Sequence, residues 1–174
     1  MYFVQMSGFP GSGKSTLACE IARRTGALVI DHDIIKTALL ETTEAVKIDS
    51  QLSGKISYNI DWSLIEFFLS QGQKVIFDSP CLYDGMITKG INLAERYHVK
   101  YKYVECYLND FNEINLRLKN RESKISQIKE AKSIEGFRYT LENCKKPEHH
   151  RCLVVDTRKP LDSYIQKVMT YIME

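Results

Sequence analysis

Eight residues near the N-terminus combine glycines, a lysine and a hydroxyl at a spacing that suits phosphate binding. They are Gly8-Phe9-Pro10-Gly11-Ser12-Gly13-Lys14-Ser15, which matches the pattern G-x-x-x-x-G-K-[ST]. Glycines let backbone N–H groups approach a phosphate closely, and the N-terminus of a following helix adds its dipole. The residues predicted to bind the phosphates are Gly8, Pro10, Gly11, Ser12, Gly13, Lys14, Ser15 and Thr16. Lys14 would reach the β- and γ-phosphates, and the Ser15 hydroxyl would hold Mg²⁺.

Carboxylates follow two further apolar runs, where strands would end. Asp31 and Asp33 follow one run, and Asp78 follows another. In open α/β sheets the carboxyl ends of the strands bind ligands, so Asp33 could face a substrate or could only cap the next helix. Asp78 could order Mg²⁺ through water, or it could only form an Asp-Ser-Pro turn. We assign no catalytic role to His32, which lies between the first two carboxylates.

Two arginines near the middle of the chain could contact a nucleotide. Arg117 and Arg121 are four residues apart, which places them on one face of a helix. Guanidinium groups match phosphate oxygens and stack on bases, although a solvated basic face is the alternative. The polar stretch after Glu122 has few core residues, as expected of a mobile lid.

The remaining pattern alternates short apolar runs with helical periodicity. Strands are predicted at 2–6, 27–30, 74–77, 101–108 and 153–156. Helices are predicted at 15–25, 34–40, 53–71, 85–97, 111–121 and 161–173, and 41–52 is left as a loop or irregular helix. Ile56, Ile60, Leu64 and Phe68 are predicted to form one face of the longest helix. Strands separated by helices predict an α/β fold with a parallel sheet and helices on both faces.

Composition limits the classes of protein that fit this chain. Its 174 residues suit one domain, and its net charge of +2 provides no strong nucleic-acid signal. The five cysteines form no C-x-x-C pair, so we expect free thiols, no zinc site and a cytoplasmic location. No apolar run is long enough to span a membrane. We expect a monomer or homodimer.

The phosphate loop and its strand–loop–helix context resemble the P-loop kinases of the nucleoside-monophosphate-kinase-like group. The pattern looks most like the small ATP-dependent phosphotransferases of the AAA_33 and zeta-toxin type, and it is similar to polynucleotide 5′-kinases and chloramphenicol phosphotransferase. The resemblance implies a three-layer P-loop NTPase fold with a central parallel five-stranded sheet and a small helical lid. It implies a single kinase domain over residues 1–174, with the lid at about 117–138, and ATP and Mg²⁺ as cofactors. The first strand would lie centrally, beside the strand that ends in Asp78.

The resemblance also implies an acceptor side of the site. Asp33 would take the proton of the acceptor hydroxyl, and Lys36 follows it at the spacing seen in polynucleotide-kinase-like sequences. Asp78 would hold either Mg²⁺ or the acceptor. Tyr83 would line the acceptor pocket.

On the nucleotide side, the resemblance implies roles for residues near the lid and after the last strand. Arg117 would flank the adenine, and Arg121 would join Lys14 and Asp33 as a catalytic residue by reaching the transferring phosphoryl group. Lys159 and Pro160 would pack against the adenine, although an ordinary exposed turn is an equal alternative.

The function expected from these residues is ATP-dependent transfer of a γ-phosphoryl group to an unidentified acceptor hydroxyl, on a small molecule or a nucleotide-like compound. A non-catalytic nucleotide-binding switch or slow NTPase is the first alternative, and a polynucleotide 5′-end kinase is the second. The Asp33/Lys36 pair, the lid and a pocket behind Asp78 favour transfer, because a switch needs none of them.

Overall fold

The computed structural model describes residues 1–42 and 49–174. The elements follow in the order β1 (Tyr2–Ser7), α1 (Lys14–Thr25), β2 (Leu28–Asp31), α2 (His32–Thr42), α3 (Ser50–Ser70), β3 (Val75–Asp78), α4 (Asp84–Arg96), β4 (Lys100–Tyr107), α5 (Phe111–Asn120), α6 (Ile134–Glu142), β5 (Cys152–Asp156) and α7 (Ile165–Met173). A 3₁₀ turn, Leu161–Ser163, precedes α7 where a continuous helix was predicted.

All five strands form one parallel sheet in the order β2-β3-β1-β4-β5. This arrangement confirms the predicted fold class and the central position of β1 beside β3. The register pairs Asp31 with Asp78 at the ends of β2 and β3. Parallel strands therefore bring two carboxylates from distant parts of the sequence to one edge of the sheet.

Apolar side chains pack on both faces of this sheet. On one face, Ile21 of α1 and Val168 of α7 belong to a buried cluster with β1, β4 and β5. On the other, Trp62 of α3 and Leu93 of α4 pack with Phe77 and neighbouring strand residues. Burial of each such large side chain contributes about 1.5–3 kcal/mol, so both helical layers are held firmly against the strands.

Helix α3 buries most deeply a face beside the predicted one, whose Leu64 and Phe68 pack partly buried against the core. Ile60 of the predicted apolar face is 40 % exposed, whereas Ser57, Asp61 and Ile65 are fully buried. The polar members of this face find partners inside the protein: the Ser57 hydroxyl donates to the Ser53 carbonyl, and Asp61 contacts His32. The apolar pattern therefore identified the helix and part of its packing, but a count of apolar residues does not register polar side chains in the core, where Asp61 Oδ1 has no hydrogen-bond partner among the described residues.

Helix α2 begins at His32, two residues earlier than predicted. Asp33 therefore lies in the first turn of the helix and is not its N-cap, which corrects that alternative. The Asp31 carboxylate accepts the backbone N–H of Asp33 at 2.8 Å and satisfies one of the free donors of this end. Of the range left as loop or irregular helix, 43–48 lies outside the described residues.

The range expected for a lid, 117–138, contains the end of α5, irregular backbone and the start of α6. Both ends are anchored to the loop that follows β1. Leu118 and Phe137 are buried with Phe9, and the rings of Phe9 and Phe137 meet edge to face with centroids 4.9 Å apart.

The five cysteines carry free thiols. None of the helices in the described ranges is both long enough and apolar enough to cross a membrane.

Candidate active site

The phosphate loop connects the central strand β1 to helix α1. Gly8, Gly11 and Gly13 have φ angles of 134°, 86° and 90°, which L-residues with side chains rarely adopt. A Cβ atom at Gly8 would lie 2.3 Å from the carbonyl oxygen of Cys106. The loop can therefore pass this close to β4 only because the residue has no side chain.

Lys14 folds back over the loop at the start of α1. Its Nζ donates to the carbonyl oxygens of Gly8 at 3.0 Å and Phe9 at 3.3 Å, and the residue is buried. The N-cap, Gly13, has no side chain to satisfy the first N–H groups of the helix. The loop thus combines free backbone donors with one ammonium group, which suits an anion.

Ser15 and Asp78 lie together beside this loop. Burial raises the pKa of Asp78, while the Lys14 charge and the Ser15 hydroxyl oppose the shift. The Asp78 Oδ2 atom is buried without a hydrogen-bond partner among the described residues. A hydroxyl beside an unsatisfied carboxylate oxygen fits Mg²⁺, which prefers oxygen ligands and keeps several waters. Within the described ranges, no three His, Cys, Asp or Glu side chains group as a metal site, so such an ion would also need phosphate or water ligands.

Asp33 faces the lid range in this structure. Its Oδ2 accepts a hydrogen bond from Gln127 Nε2 at 2.7 Å, and the Ser126 hydroxyl donates to its backbone carbonyl at 3.1 Å. Thr37, one turn further along α2, shares a second hydrogen bond with Ser126 at 2.8 Å. The first turn of α2 is thereby bound to the segment between α5 and α6.

The two arginines point to different partners. Arg117 donates from Nε to Glu113 at 2.7 Å and from its terminal nitrogen to the Thr157 carbonyl at 3.0 Å, which joins α5 to the loop after β5. Arg121 donates to the Ile128 carbonyl at 2.8 Å. Burial lowers the pKa of Arg121, and the negative charge of Asp33 opposes that shift. Arg121 therefore lies within electrostatic reach of the carboxylate predicted to be the base.

One cavity of about 1410 Å³ connects these groups. Of the residues predicted for the site, it is lined by Pro10, Gly11, Gly13, Lys14, Ser15, Thr16, Asp33, Lys36, Asp78, Tyr83, Arg117 and Arg121. Its volume exceeds the roughly 300–1,000 Å³ of a site for one small ligand. The cavity has room for a nucleotide and a second molecule.

Four predicted nucleotide-binding residues do not line this cavity: Gly8, Ser12, Lys159 and Pro160. Lys159 and Pro160 are exposed in the turn after β5. The Thr157 carbonyl of that loop is tied to the site through Arg117.

Sequence reasoning missed two groups at the site. Gln127 contacts Asp33 from 94 residues away. His32, which was given no catalytic role, is buried against Asp61 and lines the cavity. A sequence signal for the His32–Asp61 pair was the spacing of three polar residues four apart in α3, Ser53, Ser57 and Asp61. All three are buried, so the spacing is recognisable only once the buried face of α3 is known.

Comparison with known proteins places the fold among kinases. No functionally curated protein matches the sequence significantly. A structure from Chloroflexus aurantiacus, described as a candidate kinase, superposes with a TM-score of 0.76 at 16% identity, over 98% of this chain and 97% of that one. A gluconokinase from Sinorhizobium meliloti gives 0.62 at 17% identity, over 98% and 90% of the two chains. An APS kinase from Mycobacterium tuberculosis, solved with AMPPNP and APS, gives 0.64 at 14% identity, over 99% and 98%. At these identities the likeness establishes the fold alone.

The family itself is shown by the sequence. The AAA_33 family model, described as an AAA domain, matches residues 3–143, which is most of the 174-residue chain. The match contains the phosphate loop, nearly all of β1, the whole of β2 to β4, and Arg117 and Arg121, and it agrees with the resemblance drawn from the motif. The chain belongs to this AAA-domain family and has the fold of the small P-loop kinases.

Proposed function

We propose that this chain transfers the γ-phosphoryl group of Mg-ATP to a hydroxyl group of a small or nucleotide-like acceptor. The observation that carries the proposal is the single cavity lined by both halves of such a site. The phosphate loop, the two arginines, Asp33 and Lys36 all line it.

Several features support ATP as the donor. The loop presents backbone N–H groups and Lys14 to an anion, and Arg117 and Arg121 lie across the same cavity. Ser15 and Asp78 would hold Mg²⁺, which would neutralise charge on the phosphates. The APS kinase of the same fold was solved with AMPPNP, an ATP analogue.

The acceptor would lie next to Asp33. In the transfer, the acceptor oxygen forms a bond to the γ-phosphorus, and the bond between that phosphorus and the bridging oxygen of ADP breaks. The proton of the acceptor hydroxyl passes to the Asp33 carboxylate. Because this carboxylate is hydrogen-bonded to Gln127 in the ligand-free protein, its partner must move or share it when an acceptor binds.

Arg121 would stabilise the negative charge on the transferring group. A guanidinium in a partly buried site is more effective than one in water, because the local dielectric is lower. Arg117 would contact the base of the nucleotide from the preceding turn of α5.

The experiment that tests this function measures ADP release with Mg-ATP and a panel of acceptors. The panel contains D-gluconate, hexoses, APS, nucleosides and a 5′-hydroxyl oligonucleotide. We expect ADP release to depend on one class of acceptor. Equal ADP release with and without every acceptor would contradict the proposal and would favour a slow NTPase or switch.

A further inference from the structure

A histidine–carboxylate pair that the transfer step does not use lies beside the acceptor part of the cavity. His32 Nδ1 is 2.6 Å from Asp61 Oδ2, and the two side chains are 7 % and 0 % exposed. His32 is the first residue of α2, immediately before Asp33, and Asp61 lies in the middle of α3. The pair therefore joins the two helices that flank the acceptor.

The carboxylate determines which nitrogen of the imidazole carries a proton. A buried carboxylate next to a histidine nitrogen accepts its N–H and holds the ring in one tautomer. Burial raises the pKa of Asp61, and the bond from His32 opposes that shift. With Nδ1 as the donor, the neutral ring has a lone pair at Nε2.

The plane of the ring is fixed as well. His32 stacks on Tyr58, with ring centroids 3.9 Å apart and an interplanar angle of 14°. The Tyr58 hydroxyl in turn accepts a hydrogen bond from Ser79 Oγ at 3.2 Å, next to Asp78. A ring held by a carboxylate at one edge and an aromatic face on one side has little freedom to rotate.

The fixed ring borders the space where an acceptor would bind. His32, Tyr58 and Asp33 all line the same cavity. Within residues 1–42 and 49–174, Nε2 makes no hydrogen bond, whereas Nδ1 is paired with Asp61. Because the imidazole belongs to a residue that lines the cavity and the hydrogen-bonding capacity of Nε2 is unused, this nitrogen is suited to bind a ligand hydroxyl.

We propose that His32, oriented by Asp61, binds a hydroxyl group of the phosphoryl acceptor through Nε2 and so positions the acceptor beside Asp33. His32 is then a substrate-binding residue, and Asp61 is a positioning residue that acts through it. The inference rests on the proposed function and assigns the acceptor a hydroxyl that contacts the imidazole. The competing explanation is a pair that only joins α2 to α3.

NMR of protein labelled with a nitrogen isotope at histidine tests the inference without knowledge of the natural acceptor. The probes are D-gluconate, D-glucose, adenosine and glycerol, each added in the presence of Mg-AMPPNP. The chain has three other histidines, His98, His149 and His150, which serve as internal controls. Backbone amides of the phosphate loop report AMPPNP binding in the same sample.

We expect His32 to be the Nδ1–H tautomer, and at least one probe to shift its Nε2 resonance while the control histidines stay in place. A His32 that is the Nε2–H tautomer, or that no probe shifts, would overturn the inference. If the loop amides respond to AMPPNP in that case, the proposed function stands. If they do not respond, the proposed function fails at its donor site.

Two variants separate positioning from mere packing. Asp61→Asn keeps the size of the side chain but removes the charge that holds the proton on Nδ1, so part of the population should carry the proton on Nε2 and the response of Nε2 to the probe should weaken. Tyr58→Phe keeps the ring that stacks on His32, so the response of Nε2 to the probe should be retained. Should Asp61→Asn not fold, His32→Gln is used with any probe that is phosphorylated: loss of one hydrogen bond should raise the acceptor KM by about three- to tenfold, with the KM for ATP unchanged. An unchanged acceptor KM would count against the inference.

Discussion

Single residues at the carboxyl edge of the sheet would carry the chemistry proposed for this site. Asp33, Asp78 and Lys14 come from three different segments, and each is held by contacts to other parts of the chain. The charge and the basicity of the two carboxylates can be removed by a substitution of the same size, aspartate to asparagine.

Asp33→Asn removes the basic carboxylate and preserves the shape of the side chain. An asparagine can still accept the hydrogen bond from Gln127, and Asp33 is not the N-cap of α2, so thermal stability and ATP affinity should barely change. Phosphoryl transfer should fall by about 10²–10⁴-fold, the usual contribution of a general base. Asp162→Asn, in the exposed turn before α7, is the matched control. Full transfer activity in Asp33→Asn would remove the base assignment and leave the ATP site intact.

Asp78→Asn should stabilise the protein at neutral pH when nucleotide and metal are absent. Burial raises the pKa of Asp78 in the folded state above its value in the unfolded state, so folding disfavours the charged carboxylate. The free energy of unfolding of the wild type therefore falls as the pH rises from the unfolded-state pKa to the folded-state pKa. Below that interval both proteins carry a neutral side chain, and their melting temperatures should converge. Thermal melts across the acid-to-neutral range measure this difference, and parallel curves would contradict it. The variant should also lose Mg-dependent turnover.

At the scale of elements, the phosphate loop depends on the close approach of its backbone to β4. Gly8→Ala would place a Cβ 2.3 Å from the Cys106 carbonyl oxygen at a φ of +134°, and strain of this kind costs about 1–3 kcal/mol or more. Gly54→Ala, in helix α3 with open space around it, is the control and should gain about 0.5–1 kcal/mol. Urea unfolding of the two variants should therefore give changes of opposite sign.

Arg117 in helix α5 and Arg121, the residue that caps its C-terminal end, both line the cavity, and their different contacts predict different kinetic defects. Arg117→Ala should chiefly raise the KM for ATP, because Arg117 joins α5 to the loop after β5 on the nucleotide side. Arg121→Ala should chiefly lower kcat, because Arg121 lies near Asp33. Arg158→Ala, whose exposed guanidinium pairs with Asp156, is the control. Wild-type kinetics in both lid variants would mean that this face is merely solvated.

For the molecule as a whole, local patterns were enough to predict the parallel sheet and the phosphate loop. A strand, a loop with the G-x-x-x-x-G-K-[ST] spacing and a helix follow each other directly, so their arrangement is written in adjacent residues. The central position of β1 beside β3 came from the resemblance to P-loop kinases, and the rest of the strand order came from the structure. The contacts of Asp33 with Gln127 and of His32 with Asp61 could not be predicted. Each joins residues far apart in the sequence, and hydrophobic periodicity describes only neighbouring residues.

The fate of the γ-phosphate tests the central claim most directly. Wild-type protein is incubated with Mg-ATP labelled with radioactive phosphorus at the γ position and with an acceptor that stimulates ADP release, and the products are separated. We expect the label in the phosphorylated acceptor and not in inorganic phosphate, and we expect no labelled product from Lys14→Met, which lacks the charge at the β- and γ-phosphates. Label found only in inorganic phosphate, or normal transfer by Lys14→Met, would contradict the account of this protein as a kinase.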